Sequence, residues 1–198
     1  MTETKAMVLR GRAWLLAACV LSVSGCAIRG PLVRDVDGLP CITFRKTHRP
    51  NKICAARPAP PAEIANQVKR FQQEQDAGQV FVQWLQRGGM TQPLTLLVDG
   101  SPVAELVPGG LVRLRLAPGS HELSVAWDGQ SAMLPLRTEA GTVHFAEVDA
   151  WSKLWHIGFA WKPVDADGAR QRAVLARLIA DIDTRKADAG GVSVQPSP

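Results

Sequence analysis

The sequence predicts a mainly β fold, a β-sandwich of short antiparallel strands with one helix on its N-terminal side and one on its C-terminal side. Between residues 94 and 150, turn signals recur about every ten residues, which is typical of a meander of short strands. The runs between these turns alternate apolar and polar side chains, which indicates strands with one buried face. Two further segments space their apolar residues as amphipathic helices do.

The first 25 residues have the layout of an export signal. Three basic residues precede an apolar run at residues 13–23, and small residues follow it. The run is too short for a membrane-spanning helix, which needs about 20 apolar residues. Residues 1–25 are therefore predicted to be a signal peptide.

The stretch "VSGC", residues 23–26, resembles the lipobox of bacterial lipoproteins. The resemblance implies that Cys26 is acylated and becomes the new amino terminus, and the covalent acyl lipid is the only cofactor expected. Because Ala27 replaces the aspartate that retains many such proteins at the inner membrane, it also implies the periplasmic face of the outer membrane. Two alternatives stay open: an ordinary signal peptide in which Cys26 is incidental, and a lipobox "LAAC" that ends at Cys19.

Residues 26–60 are expected to form a basic, proline-rich tether. This segment has seven Lys or Arg against two Asp, whereas residues 61–198 have 13 basic against 15 acidic residues. The basic excess suits the anionic head groups of a membrane, and the alternative is a solvated tether without that role. The stretch "ARPAPPAE" is expected to be extended and stiff.

Export predicts a disulfide between Cys41 and Cys54, because they remain as an even pair in an oxidising compartment. The rival interpretation is a metal site that includes His48, but the spacing of the three residues is wrong for one, and no metal is expected. No C-x-x-C motif favours a thiol-redox role. Nucleic acid is not expected as a partner, because export takes the chain away from it.

Residues 61–187 are expected to form one folded domain that opens with a helix. The helix is predicted over residues 62–75, with Ile64, Val68 and Phe71 on one face. The tail beyond the domain, residues 188–198, is expected to be disordered.

A second helix is predicted within residues 168–183, preceded by Asp167 as its cap. Its apolar stripe consists of Val174, Leu175, Leu178, Ile179 and Ile182.

The strands are predicted from alternation and from Asp-Gly pairs. "LVRLRL" places Val112, Leu114 and Leu116 on one face and both arginines on the other. "HELSVAW" alternates in the same way. Asp-Gly pairs suit two-residue hairpin turns, because both central residues need positive φ.

Residues 95–127, "TLLVDGSPVAELVPGGLVRLRLAPGSHELSVAW", resemble a bacterial lipoprotein family defined by a domain of unknown function and related to PEGA-type surface domains. The likeness covers roughly residues 79–164. It implies an immunoglobulin-like β-sandwich, and it carries no catalytic residue to this chain.

The residues also predict binding without catalysis. Nucleophile-elbow, Walker and dinucleotide motifs are absent from the sequence. His144 and Glu147 are close in the chain, but residues three apart on a strand point to opposite faces. His121 is expected to serve as a hydrogen-bonding residue in its turn. No catalytic residue is predicted.

Three tryptophans, Trp151, Trp155 and Trp161, are possible binding residues. On one continuous strand they share a face with Phe159, which favours the core of a sandwich. If the segment is partly looped, Trp151 and Trp155 form an exposed platform for a partner or a glycan.

Two functional hypotheses follow from these features. The first is a lipid-anchored accessory or scaffold that binds another protein of the cell envelope. The second is a module that binds peptidoglycan or lipopolysaccharide through the basic tether and the tryptophans.

Overall fold

A computed structural model describes residues 33–45, 50–85, 92–153 and 156–186. Within these ranges the protein is mainly β, as the sequence predicts. The predicted signal peptide, Cys26 and the predicted tail lie outside the described residues.

The strands begin and end at the following residues. They are β1 (Arg34–Val36), β2 (Leu39–Arg45), β3 (Pro50–Cys54), β4 (Gly78–Leu85), β5 (Leu94–Val98), β6 (Ser101–Leu106), β7 (Gly110–Leu116), β8 (Gly119–Trp127), β9 (Gln130–Thr138), β10 (Val143–Lys153), β11 (His156–Lys162) and β12 (Arg177–Asp183). The helices are α1 (Ala62–Val68) and α2 (Ala166–Leu175), and a short 3-10 helix (Thr184–Lys186) follows β12. In the described parts of the chain, no helix is long and apolar enough to cross a membrane.

The strands form three sheets. The order is β1-β2-β3 in the first, β11-β10-β4-β7-β12 in the second and β6-β5-β8-β9 in the third. The third sheet is antiparallel throughout, but in the second β10 pairs with β4, and β12 with β7, in parallel. The expectation of antiparallel strands is therefore wrong for these two pairs. Each is made by strands far apart in the chain, which hairpin signals cannot report.

The five-stranded sheet is buried on both faces. Alternate residues such as Val80, Val82 and Trp84 belong to one buried cluster with Leu96 and Val125 of the four-stranded sheet. The opposite face carries a second cluster shared with both helices. Two packed sheets are consistent with a β-sandwich, and the helices add a third layer on one side of it.

The Asp-Gly pairs form the two-residue turns that the sequence predicts. Asp99 and Gly100 join β5 to β6 with φ of 49° and 78°, and Asp128 and Gly129 join β8 to β9 with φ of 49° and 76°. Positive φ at both central residues gives the turn a twist that matches antiparallel strands. These turns therefore fix the register of the four-stranded sheet.

The first helix is shorter than predicted, because α1 ends at Val68. Phe71 follows it with φ 52° and is 5% exposed. Its ring packs edge-on against Phe81 and Phe145, with ring centroids 4.8 and 5.3 Å apart. The chain leaves the helical path in order to bury this ring beneath the helix layer.

The second predicted helix is half strand. The chain is helical only to Leu175, and residues 177–183 form β12 beside β7. A bulge between Leu178 and Ala180 shifts the alternation, so that Leu178 faces the helices while Ile179 faces the other sheet. Because of this shift, the apolar residues of β12 have the spacing of a helix in the sequence. This spacing explains why a helix was predicted there. The cap is also corrected, since Asp165 and not Asp167 accepts a hydrogen bond from Gly168 N.

Much of the expected tether is folded, because residues 34–54 contain the three-stranded sheet. Ile42 and Ile53 are each 2% exposed and belong to the main buried cluster. Asp35 accepts a hydrogen bond from Arg177 at 2.8 Å. Residues 34–45 and 50–54 are thus attached to the domain, and the stretch expected to be extended, "ARPAPPAE", follows this sheet in the chain.

Candidate functional site

The disulfide between Cys41 and Cys54 is confirmed. The two cysteines lie directly opposite each other on β2 and β3, with an S–S distance of 2.03 Å. His48, the third residue of the rival metal hypothesis, lies outside the described residues. Within the described ranges, no group of three or more His, Cys, Asp or Glu side chains is arranged to hold a metal ion.

The tryptophans do not share one face. Trp161 lies opposite Val148, and Phe159 lies opposite Ala150, on the core side of the sheet. Trp151 lies opposite Gly158 on the other face and is 41% exposed. The chain reverses between β10 and β11, so the parity of one continuous strand does not apply.

The two candidate binding tryptophans that the structure describes have different environments. Trp161 donates a hydrogen bond from Nε1 to the carbonyl of Ala132 at 3.0 Å, which links the edges of the two sheets. The indole of Trp151 lies against the backbone of Gly158, where an added Cβ would be 2.7 Å from the ring. Trp155 lies outside the described residues. Trp161 is therefore structural, and Trp151 is a partly exposed aromatic side chain.

His144 and Glu147 do not converge. The His144 ring nitrogen Nε2 is 3.1 Å from the hydroxyl of Thr142. Glu147 is 2% exposed and accepts hydrogen bonds from Arg172 at 2.6 and 3.0 Å. The two side chains occupy opposite faces of β10, as the sequence predicts, and each has its own partner.

A cleft of about 390 Å³ lies between α1 and the strands β7 and β12. Its charged side chains pair with one another. Arg113 donates two hydrogen bonds to Asp181, at 2.8 and 2.7 Å, and one to Glu74 at 3.1 Å. Arg115 lies 3.6 Å from Asp181. Because these charges are matched, they hold β12 beside β7 and do not form an acid and base pair.

The outer face of the four-stranded sheet carries apolar side chains bordered by polar ones. Residues directly opposite each other in a sheet share a face, and the register places Pro102, Leu97, Ser124 and Met133 in one row across the four strands. Met133 is 63% exposed. A methionine side chain is flexible and polarizable, so it adapts to the shape of a partner.

We call this surface the Met133 face. By the same register, one neighbouring row consists of Glu105, Thr95, Ala126 and Ser131, and the other contains Glu122 and Pro135.

Sequence reasoning missed the Met133 face, although the sequence contains a signal for it. The Asp-Gly turn fixes Trp127 opposite Gln130, and counting outward from this pair places Ser124 opposite Met133. Since Leu123 and Val125 face the core, Ser124 and Met133 must face outward.

No protein-family model matches this chain, and no curated protein is significantly similar to it.

Proposed function

We propose that this chain is a lipid-anchored, non-catalytic lipoprotein whose β-domain binds another protein of the cell envelope. The anchor is the acylated Cys26, and the site is the periplasmic face of the outer membrane. The support for the anchor is the short apolar run that ends in "VSGC". The disulfide between Cys41 and Cys54 fits an oxidising compartment of this kind.

The observation that carries the binding function is the Met133 face. Met133 is 63% exposed and forms an apolar strip with its neighbours Pro102, Leu97, Ala126 and Pro135. An exposed apolar strip bordered by polar residues is typical of a surface that another protein covers. A strip on the open face of a sheet suits a protein partner, whereas small molecules bind in concave sites.

The proposal includes the assignment of residues 79–164 to a PEGA-type, immunoglobulin-like domain. The Asp-Gly hairpins and the two facing sheets support this assignment. The parallel pairs β4-β10 and β7-β12 depart from an all-antiparallel arrangement.

The anchor is tested by mass spectrometry of the amino-terminal peptide from membranes of expressing cells. We expect a triacylated Cys26, and we expect Cys26→Ala to leave an exported, unacylated protein. An unmodified cysteine, or cleavage at another site, would contradict the anchor.

The protein-binding function is tested by placing a photo-crosslinking amino acid at position 133 in living cells. We expect one adduct of defined mass that disappears when Leu97→Glu is added. The control position is Glu63, which is exposed on α1. Equal adducts at both positions, or none at position 133, would overturn the proposal.

The alternative is a module that binds peptidoglycan or lipopolysaccharide, and Trp151 is the observation that favours it. A half-exposed indole on a sheet offers a flat surface on which a sugar ring stacks. Under this alternative, Trp151→Ala abolishes co-sedimentation with purified peptidoglycan or lipopolysaccharide, and Met133→Glu leaves it unchanged. The proposed protein-binding function predicts no effect of Trp151→Ala on the crosslink at position 133.

A further inference from the structure

The C-terminal end of α2 exposes apolar side chains to solvent. Ala169 and Ala173, four residues apart and each 1% exposed, face the sheet. Leu175, two residues after Ala173, points away from the sheet because successive helical residues are rotated by about 100°. Leu175 is 83% exposed and Val174 is 49% exposed. Among residues 33–186 that the structure describes, none covers these two side chains.

Basic side chains lie beside these apolar residues. Lys69 Nζ donates a hydrogen bond to the carbonyl of Val174 at 3.0 Å. The Arg170 guanidinium reaches the carbonyl of Arg70 at 3.4 Å and lies 5.0 Å from the centre of the Phe71 ring. These contacts bring the end of α1 and the outward side of α2 together on one surface.

The positive charge of this surface is only partly balanced. Arg172 pairs with Glu147, and Arg177 pairs with Asp35. In the described part of the chain, no carboxylate lies within 4.0 Å of the cationic groups of Lys69, Arg70 or Arg170. Burial lowers the pKa of Lys69, and the positive charge of Arg177 lowers it further.

The one acidic residue of α2, Asp167, lies in its first turn, three residues before Arg170. It precedes Leu175 by eight residues, which is about 12 Å along a helix. The surface therefore combines exposed leucine and valine with three cations that form no ion pair with a described carboxylate, and Asp167 lies at its edge near Arg170.

The start of the described chain also lies next to this surface. Arg177 is hydrogen-bonded to Asp35 at 2.8 Å. Asp35 is nine residues after Cys26, so a fully extended chain between them is about 30 Å long. An acyl chain on Cys26 would thus keep this surface within reach of the bilayer.

We propose that the surface formed by Lys69, Arg70, Arg170, Val174 and Leu175 docks on the anionic phospholipid head groups of the membrane that holds the anchor. The cations bind phosphate groups, and Leu175 inserts at the boundary between head groups and acyl chains. This inference rests on the proposed lipid anchor. It adds a second membrane contact, which fixes the orientation of the domain.

The test uses residues 26–198 with Cys26→Ala, so that neither an acyl group nor the apolar segment at residues 13–23 contributes to binding. Partition is measured into vesicles of phosphatidylcholine with and without phosphatidylglycerol. We expect tighter binding to the anionic vesicles. Arg70→Gln should weaken it about fivefold, since each cation near an anionic surface contributes on the order of 1 kcal/mol. Leu175→Ser should weaken it about tenfold.

Matched variants separate this surface from general effects of charge and hydrophobicity. Arg137→Gln removes an exposed cation from the four-stranded sheet and should leave partition unchanged. Leu175→Met should retain the binding that Leu175→Ser loses.

Amide hydrogen exchange provides a second measurement. Exchange at residues 170–177 should slow on anionic vesicles and not on neutral ones. Equal partition of the parent into both kinds of vesicle, or unchanged partition of Arg70→Gln and Leu175→Ser, would overturn the proposal. Because the protein is unacylated, these results do not depend on whether Cys26 is modified in cells.

Discussion

Near the start of β8, the imidazole of His121 meets two hydrogen-bond acceptors. Its Nδ1 lies 2.7 Å from a carboxylate oxygen of Asp99, and its Nε2 lies 2.8 Å from the carbonyl of Ala117. A neutral imidazole donates only one hydrogen bond, so both contacts together favour the cation. Partial burial acts to lower the pKa of His121, but the hydrogen bonds to Asp99 and Ala117 outweigh it and raise the pKa.

This arrangement predicts a pH-dependent stability. Because the folded pKa of His121 is raised, its contribution is complete below the unfolded value of about 6.5 and is lost as pH rises through the folded pKa. We expect the urea midpoint to fall as pH rises above about 6.5. The contribution should be below about 1 kcal/mol, since the Asp99 side chain is 52% exposed.

The matched variant is Asp99→Asn, because asparagine also tolerates the positive φ of this turn. We expect the urea midpoint, measured by circular dichroism at several pH values, to change less with pH in this variant than in the parent. If the midpoint changes with pH as much as it does in the parent, the ion pair does not stabilise the fold.

At the scale of single elements, the start of α2 depends on Asp165. Its carboxylate accepts a hydrogen bond from Gly168 N at 2.9 Å, which satisfies one of the free N–H groups of the first turn. Asp165→Ala should lower the free energy of unfolding by about 1 kcal/mol. Asp167→Ala removes the same charge from the same turn without removing the cap, so it is the control. Equal losses in the two variants, measured by urea denaturation, would show that only charge matters.

The edge strand β12 is held to β7 by the ion pairs of the cleft, in which Arg113 and Arg115 contact Asp181. The side chains of Arg113 and Asp181 are 12% and 13% exposed, so their two hydrogen bonds are largely shielded from water. Asp181→Asn should destabilise the protein by about 2 kcal/mol, between the values for surface and buried pairs. Amide exchange should accelerate in β12 before it does in β4.

The control for Asp181→Asn is Asp76→Asn, which removes an exposed ion pair. Asp76 is 77% exposed and pairs with Arg185 at 2.9 Å. Asp76→Asn should lower the free energy of unfolding by no more than about 0.5 kcal/mol. A loss at Asp76 as large as that at Asp181 would contradict the role of shielding.

At the scale of the whole molecule, the N-terminal sheet and the sandwich share one core. Ile42 and Ile53 belong to the same buried cluster as Leu96 and Val125. We therefore expect Cys41→Ala combined with Cys54→Ala to lower the free energy of unfolding by about 2–3 kcal/mol, because the disulfide closes a loop of 13 residues. Unfolding should remain a single transition. Two separate transitions in calorimetry would show that the N-terminal sheet is an independent unit.

The three layers place the two proposed surfaces on opposite sides of the domain. The helices cover one face of the five-stranded sheet, and the four-stranded sheet covers the other. Packed layers are about 10 Å apart. If the helix layer lies against the membrane, the Met133 face points away from it, where a partner protein can reach it.

Local chemistry in the sequence determined the hairpins, the alternation of β7 and β8 and the disulfide. Asp99 and Gly100 adopt positive φ because the hairpin requires it, and no distant residue is needed for that result. The pairing of Cys41 with Cys54 was predicted from the even number of cysteines that the expected export would leave. The apolar run and "VSGC" predict the anchor in the same local way.

Only the tertiary structure decided how distant segments meet. The parallel pairing of β12 with β7, together with a bulge at Ile179, turned an apparent helix into a strand. The helix α1 is shorter than predicted because the ring of Phe71, which follows it, packs with Phe81 of β4 and Phe145 of β10. Trp151 and Trp161 took opposite faces because the chain reverses between them. In each case the deciding energy is packing between residues far apart in the chain, which local patterns do not contain.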